Sequence, residues 1–215
     1  MIRRVVPAGR GALLVSLALI GCLADDTPAT GTPAGSQERP AAKVRAQPRP
    51  HGMRVPVDPA RVAIDDGDTV RIRWVKGDTE TVRILGIDTP ETRHVEHDIP
   101  YAQSFGAEAR AFAQGTFSTA TRVELLRSAT LDPFGRTLGY VFVNGLNYSV
   151  LVIEARLALE SVSHFGDNGL PKEAVLVLAA AEKAGPMPFE PPHLYRRHMR
   201  DVSKWMKENG VYPEK

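Results

Sequence analysis

Apolar and polar positions alternate over several short stretches of this chain, with the period of two expected of half-buried strands. Residues 54–57 and 61–64 come first, and in Thr69–Val75 the apolar Val70, Ile72 and Trp74 alternate with Arg71 and Arg73. Gly77-Asp78 then predicts a two-residue hairpin with glycine in the first loop position, as a type II′ turn requires. A strand over 79–87 is expected next, with Val82, Ile84 and Gly86 on one face and Arg83, Leu85 and Ile87 on the other. The period lengthens at 103–117, where Phe105, Ala109, Phe112 and Ala113 fall on one helical stripe. Strands return at 121–126 and 136–143, and between them Asp132-Pro133-Phe134-Gly135 fits a type I turn by position. Asn144-Gly145 marks another tight turn, and Asn147 or Ser149 suits the cap of a helix running to Leu159. Pro171 opens a helix that reaches about Lys183 and ends at Gly185-Pro186. A last helix is expected from about His193 to Glu208, with Tyr195, Met199, Val202 and Met206 on one stripe and Arg196, Arg200, Lys204 and Lys207 on another.

The N-terminal fifth has neither period. Arg3, Arg4 and Arg10 precede an apolar run from Gly11 to Ile20, the pattern of an export signal. That run is too short for a membrane-spanning helix, which needs about 20 residues. Leu19-Ile20-Gly21-Cys22 is similar to the lipobox of bacterial lipoproteins, in which the cysteine is lipidated and becomes the new N-terminus. Residues 22–52 are rich in Pro, Ala, Thr and Gly and poor in large apolar side chains, so they read as a flexible tether. The expected organisation is therefore a signal peptide at 1–21, a tether at 22–52, one domain at 53–190 and a C-terminal helical extension at 191–215. The expected address is outside the cytoplasmic membrane, lipid-anchored at an outer membrane or cell surface.

Charge and cysteine narrow the classes. The chain carries 27 basic and 25 acidic residues. Without the three leader arginines the balance is 24 to 25, so overall charge gives no argument for a polyanionic partner, and any basic surface must be local. Cys22 is the single cysteine, which excludes an intrachain disulfide.

The candidate chemistry lies at the strand ends. Asp66, Asp68, Asp88 and Glu91 sit at tight turns, where hard oxygen ligands suited to Ca²⁺ or Mg²⁺ can converge. By itself Asp66-Gly67-Asp68 is equally ordinary turn chemistry, and the full EF-hand pattern is missing. Arg83 shifts the balance, since a charge in the apolar run Val82-Arg83-Ile84-Leu85 is costly unless it faces a site. Arg136 is delivered at a strand start by a stiff turn, and guanidinium groups bind phosphate through paired hydrogen bonds. Carboxylates for a metal, one spare carboxylate and two arginines are the parts needed to hydrolyse a phosphodiester.

Four motifs follow one another along residues 55–189: Asp66-Gly67-Asp68-Thr69-Val70, the run from Val82 to Thr92, Phe105-Gly106-Ala107-Glu108-Ala109, and Asp132-Pro133-Phe134-Gly135-Arg136. By their order and spacing the chain resembles the staphylococcal nuclease (thermonuclease) family over that range. The resemblance implies an α+β fold built on a small five-stranded OB-like β-barrel with about three packed helices, plus the C-terminal helix. It also implies that Asp68, Asp88 and the carbonyl of Thr89 ligate Ca²⁺, with Asp66 behind them. Glu91 would orient or deprotonate the attacking water, while Arg83 and Arg136 bind the phosphate and stabilise the pentacoordinate transition state. The implied reaction is hydrolysis of DNA and RNA, preferably single-stranded or denatured, at the 5′-oxygen side to leave 3′-phosphates. A monomer is the default.

The sequence departs from the family pattern in places. Pro133-Phe134 replaces a Lys-Tyr pair, Val162 and His164 stand where tyrosines are expected, and Tyr148-Ser149 replaces Val-Asn. The rival reading is a catalytically silent OB-like nucleic-acid-binding module anchored to the membrane. His94, Glu96, His97 and Asp98 have ligand chemistry at close spacing, but their run into Pro100 reads as a solvated loop. The last helix is expected to pack its apolar stripe and solvate its basic face, or to extend that face toward nucleic acid or anionic lipid.

Overall fold

The computed structural model describes residues 44–213. The expected leader, Cys22 and most of the tether lie outside the described residues. Among the described residues no helix is long and apolar enough to cross a membrane.

Two short strands, β1 (Arg45–Ala46) and β2 (Arg54–Val57), precede β3 (Val62–Ile64), β4 (Thr69–Val75) and β5 (Asp78–Ile84). Next come β6 (Ile87–Asp88), α1 (Gly106–Ser118), β7 (Val123–Leu131), β8 (Thr137–Val143) and β9 (Leu146–Asn147). The rest is mainly helical: α2 (Tyr148–Glu154), β10 (Leu159–Glu160), α3 (Val162–Phe165), α4 (Pro171–Ala184) and α5 (Pro192–Glu208).

The architecture is α+β, with one mixed sheet in the order β1-β7-β8-β5-β4-β3, β2 added on β7 and β9 on β8. Among the described residues only β5 and β8 run parallel, and they set Arg83 opposite Leu138. A separate two-stranded piece pairs β6 with β10. The small five-stranded OB-like barrel expected from the sequence differs from the sheet that forms. Among the described residues the sheet has eight strands and does not close, with β1 and β3 at the ends of its path. Nine-residue β7 has room for β2 along Val123–Leu126 and for β1 at Thr130 and Leu131. Strands of two residues, such as β1 and β9, leave too little alternation to be counted beforehand.

Val70, Ile72, Val82, Ile84, Leu125 and Val141 from the sheet and Tyr148, Val152, Ile153 and Val177 from α2 and α4 form the main core, all nearly inaccessible to solvent. Each such side chain contributes about 1.5–3 kcal/mol by leaving water. A buried ion pair interrupts this core. Both oxygens of Glu80 accept from Arg127 at 2.8 Å, and they also accept from Thr137 at 2.6 Å and Trp74 at 2.7 Å.

That polar centre explains a second correction. Residues 45–50, assigned to the tether on composition, are part of the domain: β1 pairs with β7, Gln47 donates to Thr137 at 3.0 Å, and Arg49 pairs with Asp78. Docking through polar groups leaves no apolar signature in the sequence. Smaller differences also have local causes. The β4–β5 loop is Lys76-Gly77, with glycine second (φ 83°), because Asp78 already pairs with Val75. The strand expected over 79–87 breaks at Gly86 (φ 81°), where a Cβ would stand 3.1 Å from both Tyr140 and Val177. Helix α2 stops at Glu154, since Arg156 turns left-handed (φ 60°) before β10.

Candidate functional site

The first acidic turn is held from three sides. Asp66 accepts the amide of Asp68 at 3.0 Å, an Asx turn made inside the Asp66-Gly67-Asp68 triplet. A Cβ on Gly67 would come within 2.8 Å of the Thr89 side chain, so only glycine lets this turn close on the second acidic stretch. From below, the Tyr148 hydroxyl donates to the Gly67 carbonyl at 2.8 Å, and Ser149 donates to the Leu85 carbonyl at 2.7 Å. The substituted Tyr148-Ser149 pair thus ties the start of α2 to the first acidic turn and to the chain just past β5.

Asp68 and Asp88 are buried and meet around Arg83. One oxygen of Asp68 accepts from the amide and hydroxyl of Thr89 at 2.9 and 3.0 Å, and the other pairs with Arg83. Arg83 also donates to Asp88 at 3.1 Å and to the carbonyl of Ile87 at 3.2 Å. Placing Arg83 between two apolar core residues is therefore compensated by two carboxylates and a carbonyl. Burial still lowers the proton affinity of its guanidinium, with Arg136 and Arg196 pushing the same way and Asp88 and Asp66 opposing them. Burial likewise raises the Asp66 carboxyl above its ordinary range, against the pull of Arg83.

Glu91 lies three residues beyond Asp88, in the loop that leads to α1. Its amide donates to the Gln103 side chain at 3.1 Å, and its carbonyl accepts from the Gln103 amide at 2.9 Å. Gly106 stands so close to that carbonyl that a Cβ would overlap it. Burial raises the Glu91 carboxyl above its ordinary value, while the hydrogen bond and charge of Arg196 hold it back.

Arg136 arrives as the turn predicts. Asp132 accepts the amides of Phe134 at 2.9 Å and Arg136 at 2.8 Å, Gly135 takes φ 86°, and the Arg136 side chain donates to Asp132 at 2.6 Å. It lies near enough for its charge to act on Arg83, but it is tied to Asp132 and not to the site carboxylates. Phe134 is 85% exposed beside it, its ring 5.7 Å from the guanidinium.

The structure adds Arg196, which helical periodicity sets on a basic stripe expected to be solvated or to face nucleic acid or lipid. From α5 it donates to both oxygens of Asp88 at 3.0 and 2.9 Å and to Glu91 at 2.5 Å. Burial alone would weaken its hold on its proton, but the hydrogen bonds and charges of Asp88 and Glu91 outweigh that and raise it. The available signal was its place at the border of the apolar stripe, one turn before Met199 and two before Ser203. Lys207, from the same supposed face, pairs with Asp98, which also accepts from Ser203 at 2.9 Å. Asp98 is thereby committed to α5, and His94 contacts Thr92 at 2.6 Å, so this loop serves as a docking seam. His164 stacks edge-on against Phe165, ring centroids 4.5 Å apart.

Among the described residues no three His, Cys, Asp or Glu side chains form a ready metal cluster. The donor set nonetheless fits a hard cation in kind. Asp68, Asp88 and Glu91 offer carboxylate oxygens, and the guanidiniums of Arg83 and Arg196 stand on them where a positive ion would be stabilised.

Residues 81–184 match the family model described as staphylococcal nuclease homologue. That match includes Arg83, Asp88, Glu91 and Arg136, but it begins after Asp68 and ends before α5. Over 94 residues, 43% of this chain, the sequence is 36% identical to a thermonuclease of Staphylococcus intermedius, covering 53% of that protein. It is 31% identical over 94 residues to the SPbeta prophage-derived endonuclease YokF of Bacillus subtilis, 43% of this chain and 30% of that protein. An uncharacterised Bacillus anthracis protein is 38% identical over 94 residues, 43% of this chain and 42% of the other. The aligned stretch thus spans about half or less of each of these relatives.

Proposed function

We propose that the chain is a Ca²⁺-dependent endonuclease that hydrolyses DNA and RNA at the 5′-oxygen side of the phosphodiester, leaving 3′-phosphates. The observation that carries this reading is the meeting of Asp68, Asp88 and Arg83 beside Glu91, on strand ends that match a nuclease family model from residue 81 onward. Asp68, Asp88 and the carbonyl of Thr89 would hold the cation, with Asp66 fixing Asp68 from behind. Bound there, Ca²⁺ would supply charge that screens the phosphate oxygens.

The remaining chemistry belongs to the chain. Glu91 is a carboxylate whose proton affinity burial has raised, which favours it as the base that orients and deprotonates water. Arg83 on β5 and Arg136, one residue before the paired strand β8, bind the phosphate and meet the charge that grows on its oxygens in the transition state. Phe134, in place of the family tyrosine, offers an exposed ring for stacking of an unpaired base. The tight Asp132 turn fixes the backbone from which Arg136 projects. The signal-like start and Leu19-Ile20-Gly21-Cys22 support export and lipid anchoring through Cys22, which lipid on that residue by mass spectrometry would test.

End-group analysis of products from denatured DNA tests the reaction. Full-length protein with Ca²⁺ is expected to leave 3′-phosphates, and to stop when Ca²⁺ is chelated. Products ending in 3′-hydroxyls, or cleavage that survives chelation, would overturn this assignment; a silent binding module would leave the DNA intact.

A further inference from the structure

Three carboxylates assigned above to the reaction are already neutralised in the structure, and one of the neutralising groups comes from outside the segment that matches the nuclease family. Arg196 spans both oxygens of Asp88 and one of Glu91, so a single guanidinium covers a cation ligand and the candidate base together. The helix that brings it is fastened to one loop, between β6 and α1. Gln103 donates to the carbonyl of Glu190 at 2.6 Å while gripping the Glu91 backbone. Phe189 packs on Phe105 with ring centroids 5.9 Å apart, and the Tyr195 hydroxyl reaches the carbonyl of Tyr101 at 3.2 Å. Ser203 and Lys207 hold Asp98, and the Tyr212 hydroxyl donates to the carbonyl of Val95 at 2.6 Å.

The strength of this attachment differs from that of the other helices. Only Pro192, Ser203 and Met206 of α5 are buried, and no α5 residue belongs to the main core, whereas Val152, Ile153 and Val177 of α2 and α4 are central to it. A helix held mainly by polar contacts at a surface opens at a smaller free energy than the core it rests on. It can leave without uncovering the sheet.

We propose that α5 is a displaceable strap and Arg196 a built-in competitor for the divalent cation: the chain closes its own site with a guanidinium, and cation binding at Asp88 releases it. This rests on the reading that Asp68 and Asp88 take a cation. With Arg196 seated, Glu91 is engaged in a charge-assisted hydrogen bond and is not free to take a proton from water. The cation and the guanidinium require the same Asp88 oxygens, so their occupancies are linked. If the closed form is populated tenfold to a hundredfold over the open form, apparent cation affinity falls by about that factor.

The test uses full-length protein, Arg196→Ala and Asp98→Asn, with calorimetric titration of Ca²⁺ and amide hydrogen exchange over 192–208. Arg196→Ala is expected to bind Ca²⁺ about tenfold to a hundredfold more tightly than the parent. In the parent, saturating Ca²⁺ is expected to accelerate exchange in α5. Asp98→Asn loosens the far end of the helix without touching the site carboxylates, and is expected to tighten Ca²⁺ binding as well, by a smaller factor. That outcome separates a strap from the mere loss of one positive charge near the ion. Equal Ca²⁺ affinity in parent and Arg196→Ala, or α5 exchange indifferent to Ca²⁺, overturns the strap and leaves the nuclease reading standing. Absence of Ca²⁺ binding in all three proteins overturns both.

Discussion

Replacing Glu80 with glutamine tests whether the mixed sheet is organised around its buried ion pair. Glu80 and Arg127 are each about 3% exposed in their side chains and are joined by two hydrogen bonds of 2.8 Å. Thr137 and Trp74 donate to the same two oxygens, so the carboxylate accepts from four donors. Glutamine keeps the shape but turns one acceptor into a donor that faces other donors, and it leaves Arg127 charged without a counter-ion. Breaking such a pair costs about 3–5 kcal/mol. With a urea m-value of about 2 kcal/mol per molar, the unfolding midpoint should fall by about 2 M at unchanged m. Acid unfolding depends on the same pair. Burial pushes the Glu80 carboxyl up, but hydrogen bonds from Arg127, Thr137 and Trp74 and the charge of Arg127 prevail, and its folded-state pKa is lowered. A lowered group adds stability above the unfolded value of about 4.3 and loses it as pH falls through the folded value. The parent should therefore lose this contribution below about pH 4.3, and the variant should lose less over that window. A midpoint shift under about 0.5 M would show that the sheet does not depend on this pair. So would identical acid profiles.

Two further predictions concern how the site is held. Tyr148→Phe removes the hydroxyl that meets the Gly67 carbonyl and should cost about 1–3 kcal/mol, read as a lower urea midpoint. It should also reduce cleavage, because the Asp66-Gly67-Asp68 turn loses its support; full activity in the variant would contradict that link. Gly106→Ala ordinarily favours a helix by up to about 1 kcal/mol, yet here the new Cβ meets the Glu91 carbonyl and the loop must move. Net destabilisation of about 1–3 kcal/mol and a fall in kcat are expected; a stabilised, fully active variant would show that the loop yields freely.

Much of this was legible in the sequence because it is local. The Asp132 turn is specified by Asp, Pro and Gly at fixed offsets, and Asn147 caps α2 by accepting the Ser149 amide at 3.0 Å. Arg83 announced itself as a charge inside an apolar strand, and Asp66, Asp68, Asp88 and Glu91 as carboxylates at strand ends. What was missed is long-range and polar. Gln47 and Arg49 join the sheet through partners on β5 and β8, and composition alone assigned them to a tether. Arg196 meets carboxylates more than a hundred residues earlier, and helical periodicity shows only that it borders an apolar stripe. The open sheet was missed for a different reason, since strands as short as β1 and β9 have no readable period.

The proposed reaction has Glu91, Arg83 and the carboxylates around them break phosphodiester bonds. Its most direct test is the single-turnover rate of cleavage of denatured DNA by full-length protein with saturating Ca²⁺, compared among the parent, Arg83→Ala and Glu91→Ala. Measurable cleavage by the parent is expected, with a loss of about a hundredfold to a thousandfold in Arg83→Ala and of at least about a hundredfold in Glu91→Ala. Rates in the two variants within a fewfold of the parent, or an inert parent that binds Ca²⁺ and DNA, would contradict it.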